Sequence, residues 1–176
     1  NGTTSVESIT LKDTLTGDTV DAGAGADTVR SAGMIAGDSY EGGDGADTLS
    51  VLNGVETNVF GAYYAFVSDY SLGDLNSFEA LTFAENTATD RLAMFTGLQA
   101  TTGLASNLQV TGGSGVDLVM VSADGAVDLS GWQFTNWTPF SNTFDANGDL
   151  SFDNDVIVIS AGAGNDVLTG TSQGDV

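Results

Sequence analysis

Residues 17–56 repeat themselves at a spacing of 20, and this internal register constrains the fold more than any other feature of the chain. Gly17–Ala36, GDTVDAGAGADTVRSAGMIA, aligns with Gly37–Glu56, GDSYEGGDGADTLSVLNGVE. Asp18 falls on Asp38, Gly23 on Gly43, Gly25 on Gly45, Asp27 on Asp47 and Val29 on Leu49. A shorter step of nine separates Asp18 from Asp27 and Asp38 from Asp47. A unit this short cannot bury an apolar face alone; it gains a core only when successive copies stack. The register predicts that adjacent turns do not pair, whereas turns 20 residues apart do. The column to be buried then includes Val20, Val29, Tyr40 and Leu49.

Matching turns recur downstream. GGSGVDLVM at Gly112–Met120 carries Gly112, Gly113, Gly115 and Asp117; AGAGNDVLT at Ala161–Thr169 carries Gly162, Gly164 and Asp166. A last one begins in GTSQGDV at Gly170–Val176, with Asp175 nine residues beyond Asp166. In the clearest copy, GGDGAD, Gly42, Gly43, Asp44 and Gly45 form the turn and Asp47 follows it. Glycine permits positive φ and lets carbonyls turn inward without a Cβ clash. The aspartate adds a carboxylate, and the next three residues make a minimal strand with one apolar side chain pointing inward.

Charge says what such turns could hold. The 176-residue chain has 24 acidic residues against three basic ones, Lys12, Arg30 and Arg91, for a formal net charge of -21. Carboxylates gathered in a compact state repel one another unless neutralised, and three cations cannot do this by salt bridges. Disorder is the first expectation for such a charge, but 41% of the residues are hydrophobic and proline occurs once. No basic patch for nucleic acid can be built. The chain has no Cys and no His, which removes thiolate and imidazole metal sites and leaves oxygen ligands and hard cations, calcium above all. No apolar run reaches the roughly 18 residues of a membrane span, and no signal peptide is visible at Asn1.

The turns resemble the nonapeptide of the repeats-in-toxin (RTX) family, G-G-x-G-x-D-x-U-x with U a large apolar residue. GGDGADTLS and GGSGVDLVM fit every position; AGAGADTVR and AGAGNDVLT replace only the first Gly with Ala. The resemblance implies an all-β fold, a parallel β-roll or β-helix. It also implies Ca2+ shared by backbone carbonyls and Asp side chains of two stacked turns. Asp27 would face Asp47, and Asp18 would face Asp38 on the other side. The register exceeds two nonapeptides by two residues, placed near Ser31–Ala32, which would weaken the Asp18–Asp38 site.

The rest of the chain reads as one continuous β segment: RTX coils over 1–52, wider coils or an insertion over 53–110, and further coils with RTX turns over 111–176. FEALTF, LQVTGGSGVDLVMVS, VDLSGWQFTNW and DVIVIS predict strands, and FDANGDLSF predicts a turn at Asn147–Gly148. Asp90–Gln99, DRLAMFTGLQ, is the best helix candidate. The chain starts inside a β-like stretch and stops midway through a repeat, as a segment of a longer protein would.

Other motifs yield to plainer readings. DANGD at Asp145–Asp149 spaces its acids like an EF-hand loop, but its Gly comes one place early and no Glu follows at the twelfth position. GTSQG matches a nucleophile elbow, yet no His exists to serve as base. Trp132, Phe134 and Trp137 could form a sugar platform, but alternation favours a buried core. Asn1-Gly2-Thr3 and Asn136-Trp137-Thr138 are glycosylation sequons by pattern only. The RTX resemblance therefore implies a structural, calcium-binding module of a secreted bacterial surface protein, of surface-layer or adhesin type, and the expectation is that it is not an enzyme. Self-association into a surface lattice and glycan binding remain open as partners. The competing expectations are a module of an extracellular polysaccharide-active enzyme, which an exposed cleft holding paired carboxylates or a Tyr–Arg cluster around Arg91 would favour, and a carbohydrate-binding adhesin module, which needs an exposed aromatic face near Trp132–Trp137.

Overall fold

The computed structural model describes residues 4–11, 17–59, 63–83, 89–139, 143–144, 150–151, 154–173 and 175–176. The Asn1 sequon, the Asp145–Asp149 loop with its Asn147–Gly148 turn, and Gly174 of GTSQG lie outside them. The fold is all-β. In chain order the repeats supply β1 (Ser8–Thr10), β2 (Thr19–Asp21), β3 (Ala24–Gly25), β4 (Thr28–Ser31), β5 (Ser39–Glu41), β6 (Asp44–Gly45) and β7 (Thr48–Val51). Then come β8 (Val55–Val59), β9 (Tyr63–Asp69), β10 (Asp74–Asn76), β11 (Phe78–Thr82) and β12 (Arg91–Thr96). A single π-helical turn, Gln99–Gly103, leads into β13 (Leu104–Thr111), β14 (Asp117–Ala123), β15 (Ala126–Asp128) and β16 (Gln133–Thr135). Last are β17 (Thr143–Phe144), β18 (Leu150–Ser151), β19 (Val156–Ala161) and β20 (Val167–Thr169).

The 20-residue register is the register of strand pairing. Thr19–Asp21 lies parallel to Ser39–Glu41, Ala24–Gly25 to Asp44–Gly45, and Thr28–Ser31 to Thr48–Val51. One of the two extra residues lengthens β4 to four residues, against three in β2. The other falls in the irregular stretch 32–38, where Gly33 takes φ +125 and the Ser31 hydroxyl donates to the Gly33 carbonyl.

Two larger sheets extend the pattern. One is wholly parallel, in the order β1-β4-β7-β11-β13-β16. The other runs β19-β14-β12-β9-β8 and is parallel except for the β8–β9 hairpin at its edge. A third, smaller sheet runs β10-β5-β2. The apolar position of each short strand falls in a column: Ile9, Val29, Leu49, Leu81, Val110 and Phe134 along the first sheet, and Val20, Tyr40 and Leu75 along the third. Val29, Leu49, Leu81 and Tyr40 are buried in one core with Tyr70, Phe95 and Trp132. Tyr70 and Phe95 stack with centroids 5.3 Å apart. Each such side chain stabilises the stack by roughly 1.5–3 kcal/mol. Leu92, Leu118 and Val156 form a second cluster.

The helix expected over Asp90–Gln99 is not formed. Arg91–Thr96 is a central strand between β9 and β14. A strand of a parallel sheet buried on both faces carries apolar side chains on both, so it loses the period of two that would mark it. Arg91, Leu92, Ala93 and Phe95 are all buried. Helical backbone begins only beyond Thr96, where the Thr96 N–H donates to Gln99 Oε1 (2.9 Å) and Gln99 Nε2 donates to the Tyr70 carbonyl (2.7 Å).

Candidate metal centre

The strand register brings the glycine turns into contact as well. The Asp44 N–H donates to the Gly23 carbonyl at 2.8 Å. A Cβ on Gly43 would overlap the Gly23 carbonyl oxygen, and one on Gly45 the Gly25 carbonyl oxygen. Only glycine allows the two turns to approach this closely.

Behind these turns the carboxylates form a ladder. The Glu7 N–H donates to Asp27 Oδ1 (2.7 Å), the Asp27 N–H to Asp47 Oδ1 (2.8 Å), and the Asp47 N–H to Glu79 Oε2 (2.7 Å). Each backbone amide thus binds the acid of the next parallel segment. Asp27 and Asp47 are each 1% exposed. Their Oδ2 atoms are buried without a hydrogen-bond partner. Burial, with Glu79, Asp27 and Asp44 nearby, pushes the Asp47 carboxyl above its ordinary value. A buried, unpaired carboxylate oxygen is costly unless a positive charge meets it.

Asp18 and Asp38 stand in the predicted stack, with a different chemistry. The Asp18 N–H donates to Asp38 Oδ1 (2.6 Å). Asp38 Oδ2 accepts from the Ile35 N–H (2.8 Å) and the Tyr40 hydroxyl (3.3 Å). Burial first, and the Asp38 charge after it, pushes the Tyr40 hydroxyl up to about 12, so the tyrosine stays a donor. Both Asp38 oxygens are thus satisfied by the protein, and the Ile35 bond comes from the stretch that holds an extra residue.

The turn of Asp117 also finds neighbours. Gly112 N–H donates to the Thr135 carbonyl at 3.0 Å, a Cβ on Gly112 would overlap the Asn136 carbonyl oxygen, and one on Gly115 the Thr89 carbonyl oxygen. Asp117 Oδ2 accepts from the Gly113 N–H, while Oδ1 is buried and unpartnered. In Cα register Asp117 lies between Arg91 and Asp155. The Asp117 N–H donates to Asp155 Oδ1 (2.9 Å), and the Thr138 N–H to Asp155 Oδ2 (2.6 Å). The Arg91 guanidinium is buried, donating from Nε to Asn53 Oδ1 (2.9 Å) and from Nη1 to the Phe83 carbonyl. Burial lowers its pKa, and the Asp117 charge opposes that.

The last turns are the most open. Asp166 Oδ1 accepts from the Gly125 N–H (2.7 Å), and Gly162 abuts Ala123 and Asp124, but nothing approaches the Cβ position of Gly164 within 4 Å. Asp175 accepts from Thr171, both from its N–H (2.8 Å) and its hydroxyl (2.9 Å), and bridges to Ile157 rather than to another acid. Trp132 is buried, which removes it from any exposed aromatic face, and Trp137 packs on Phe134 with centroids 5.1 Å apart.

Sequence reasoning missed Glu7, Glu79, Asp90 and Asp155. The signal was an acid two places before an apolar residue, as in Glu7-Ser8-Ile9, Glu79-Ala80-Leu81 and Asp155-Val156-Ile157. These segments keep that half of the nonapeptide and lack its glycines. Asp90, whose Oδ1 accepts from the Val116 N–H (2.9 Å), likewise precedes Arg91-Leu92.

The donor set fits a hard cation: carboxylate oxygens with carbonyl oxygens around them, and no nitrogen or sulfur ligand. Among the described residues no three acidic side chains converge on one point, so any ion would depend on carbonyls for most of its shell.

The Asp117–Asp155 column has a pH signature. Burial pushes Asp117 up to about 7, Asp155 and Asp90 adding to it and Gly113 and Arg91 opposing it; burial raises Asp155 as well. A raised folded-state pKa gives stability that is complete below the ordinary value near 4 and lost as pH rises through 7. In chelator, the melting temperature should therefore fall between pH 5 and pH 8. Metal ions bind the ionised form, so saturating calcium should flatten or reverse that slope. Parallel slopes with and without calcium would contradict a cation at the Asp117 turn.

Comparison with known proteins finds no matching family model, no similar curated protein and no similar solved structure.

Proposed function

We propose that this chain is a structural, calcium-binding module of a secreted bacterial surface protein, built as a parallel β-solenoid of the RTX kind and completed by the ion. One observation supports the reading: among the described residues the buried carboxylate oxygens without partners, Asp27 Oδ2, Asp47 Oδ2 and Asp117 Oδ1, all belong to glycine turns that fit the nonapeptide or depart from it only in the first Gly. Asp155, buried outside those turns, has both oxygens met by backbone amides instead. Asp27 and Asp47, with carbonyls of turns 22–26 and 42–46, would hold the principal ion. Bound there, the ion supplies the positive charge that the -21 chain lacks. The chain's own residues fix the turns, align the strands and bury the apolar column.

Binding to the folded state alone makes binding energy folding energy. An ion at 100 times its dissociation constant adds about 2.7 kcal/mol, and at this chain length that raises the melting temperature by roughly 5–11 °C. Circular dichroism and calorimetry in excess calcium against excess chelator, with magnesium as control, test this. Gain of β signal and of melting temperature in calcium alone is the expected result. Identical spectra and melting in all three would overturn it. Such dependence suits a chain that crosses a calcium-poor compartment unfolded and folds outside.

A further inference from the structure

We infer that the cation ladder continues one step beyond the repeats, into a site formed by Asp47, Glu79 and the Ser77 carbonyl, for a divalent cation of calcium type. It rests on the calcium reading above and adds ligands that no glycine–aspartate turn supplies. Glu79 belongs to β11, which pairs in parallel with β7 through Ala80↔Thr48 and Leu81↔Leu49. It stands to Asp47 as Asp47 stands to Asp27: the amide of the earlier acid donates to the carboxylate of the later one. A glutamate reaches one methylene further than an aspartate, which compensates for the short turn before it.

The backbone follows the same logic. Ser77 holds φ at +59, a left-handed conformation uncommon outside glycine and one that has to be stabilised by its surroundings. Its carbonyl oxygen and Asp47 Cβ converge on the same place, the position a Gly42 side chain would occupy. Gly42 is buried there, its N–H donating to the Asn76 carbonyl at 3.1 Å. The sign of a ligand is again Asp47 Oδ2, buried and without a partner, with Asp27 and Glu79 on either side of Asp47 in the ladder. One ion at Asp27–Asp47 would leave Glu79 uncompensated. The ladder also has an end: the residues before Gln109 and Gln133, next along the sheet from Ala80, are Leu108 and Trp132, both buried and apolar. Glu79 is therefore the last acid of this column.

The test counts ions on the full chain. Native mass spectrometry and calorimetric titration with calcium would be run on the wild type, Glu79→Gln and Asp27→Asn. The substituted amide keeps an oxygen to accept the Asp47 N–H, and folding in calcium is checked by circular dichroism. Glu79→Gln should lose one calcium per chain, or at least tenfold affinity at one site, while retaining the site that Asp27→Asn removes. Should Glu79→Gln fail to fold, Glu79→Asp keeps the charge but shortens the reach. It should hold the ion count with weakened affinity at one site. An unchanged count and affinity in the folded variant used would overturn the Glu79 site while leaving the calcium reading intact. A wild type that binds no calcium would overturn both.

Discussion

Replacing Gly43 with alanine should cost about 4 kcal/mol or more, at the severe end for a single substitution, and lower the melting temperature by about 10 °C. Two effects add. The residue holds φ +100, which costs an L-residue with a Cβ roughly 1–2 kcal/mol. The new Cβ would also overlap the Gly23 carbonyl oxygen of the neighbouring turn. Both obstacles are backbone, so the only relief is to part the turns, breaking the 2.8 Å bond from Asp44 N–H to Gly23 and the alignment of Asp27 with Asp47. Gly125→Ala is the matched control: φ is +115, yet nothing lies within 4 Å of its Cβ position. It should lose only the conformational part, about 1–2 kcal/mol. Chemical denaturation of both variants separates the effects, and equal losses would mean that close stacking of the turns does not stabilise the fold.

The same stacking explains what the sequence made legible. The pairing of residues 17–51 follows from the sequence alone because turn glycines, acids and apolar residues all repeat in one register. A shift by one residue would expose every apolar side chain of the column. Past Val51 the spacing between parallel partners varies: Ala80 pairs with Thr48, Gln109 with Ala80, and Gln133 with Gln109. Alignment at a fixed step therefore loses Glu79 although its hydrogen bond repeats that of Asp47. The strand Arg91–Thr96 was obscured by burial on both faces, which erases the alternation that marks a strand at a surface. The acids were sorted only in part: the two extra residues near Ser31–Ala32 pointed to a weaker Asp18–Asp38 site, without showing what would saturate Asp38. Asp38 and Asp47 lie nine residues apart in the same copy, each two places before an apolar strand residue, yet Asp38 is saturated by Ile35, Tyr40 and Asp18, while Asp47 keeps a bare oxygen. The difference comes from the path of residues 32–38, a matter of three-dimensional backbone rather than of residue type.

Arg91→Met should be about as damaging, at roughly 3–5 kcal/mol, because two buried acceptors lose their donor, at about 1–3 kcal/mol each, and Asp117 loses the charge that opposes its burial. Arg91 occupies, one parallel segment earlier, the register position of Asp117. It is 1% exposed, and its charge is the nearest protein counterweight to an acid that burial pushes up to about 7. The methionine would fill most of the volume but leave the Phe83 carbonyl and Asn53 Oδ1 without their guanidinium donor. It would also leave Asp117 facing Asp155 and Asp90 with no protein cation between them. On the calcium reading the repeat turns draw their counter-charge from solution, whereas this column has part of its neutralisation within the chain. Two consequences separate that role from plain packing. Adding Asp117→Asn to Arg91→Met should restore at least half of the lost stability, because the uncompensated charge is gone; a double variant no more stable than the single one would assign the loss to shape alone. Calcium should also rescue Arg91→Met more than it stabilises the wild type, because Asp117 is then left to whatever cation the solution provides.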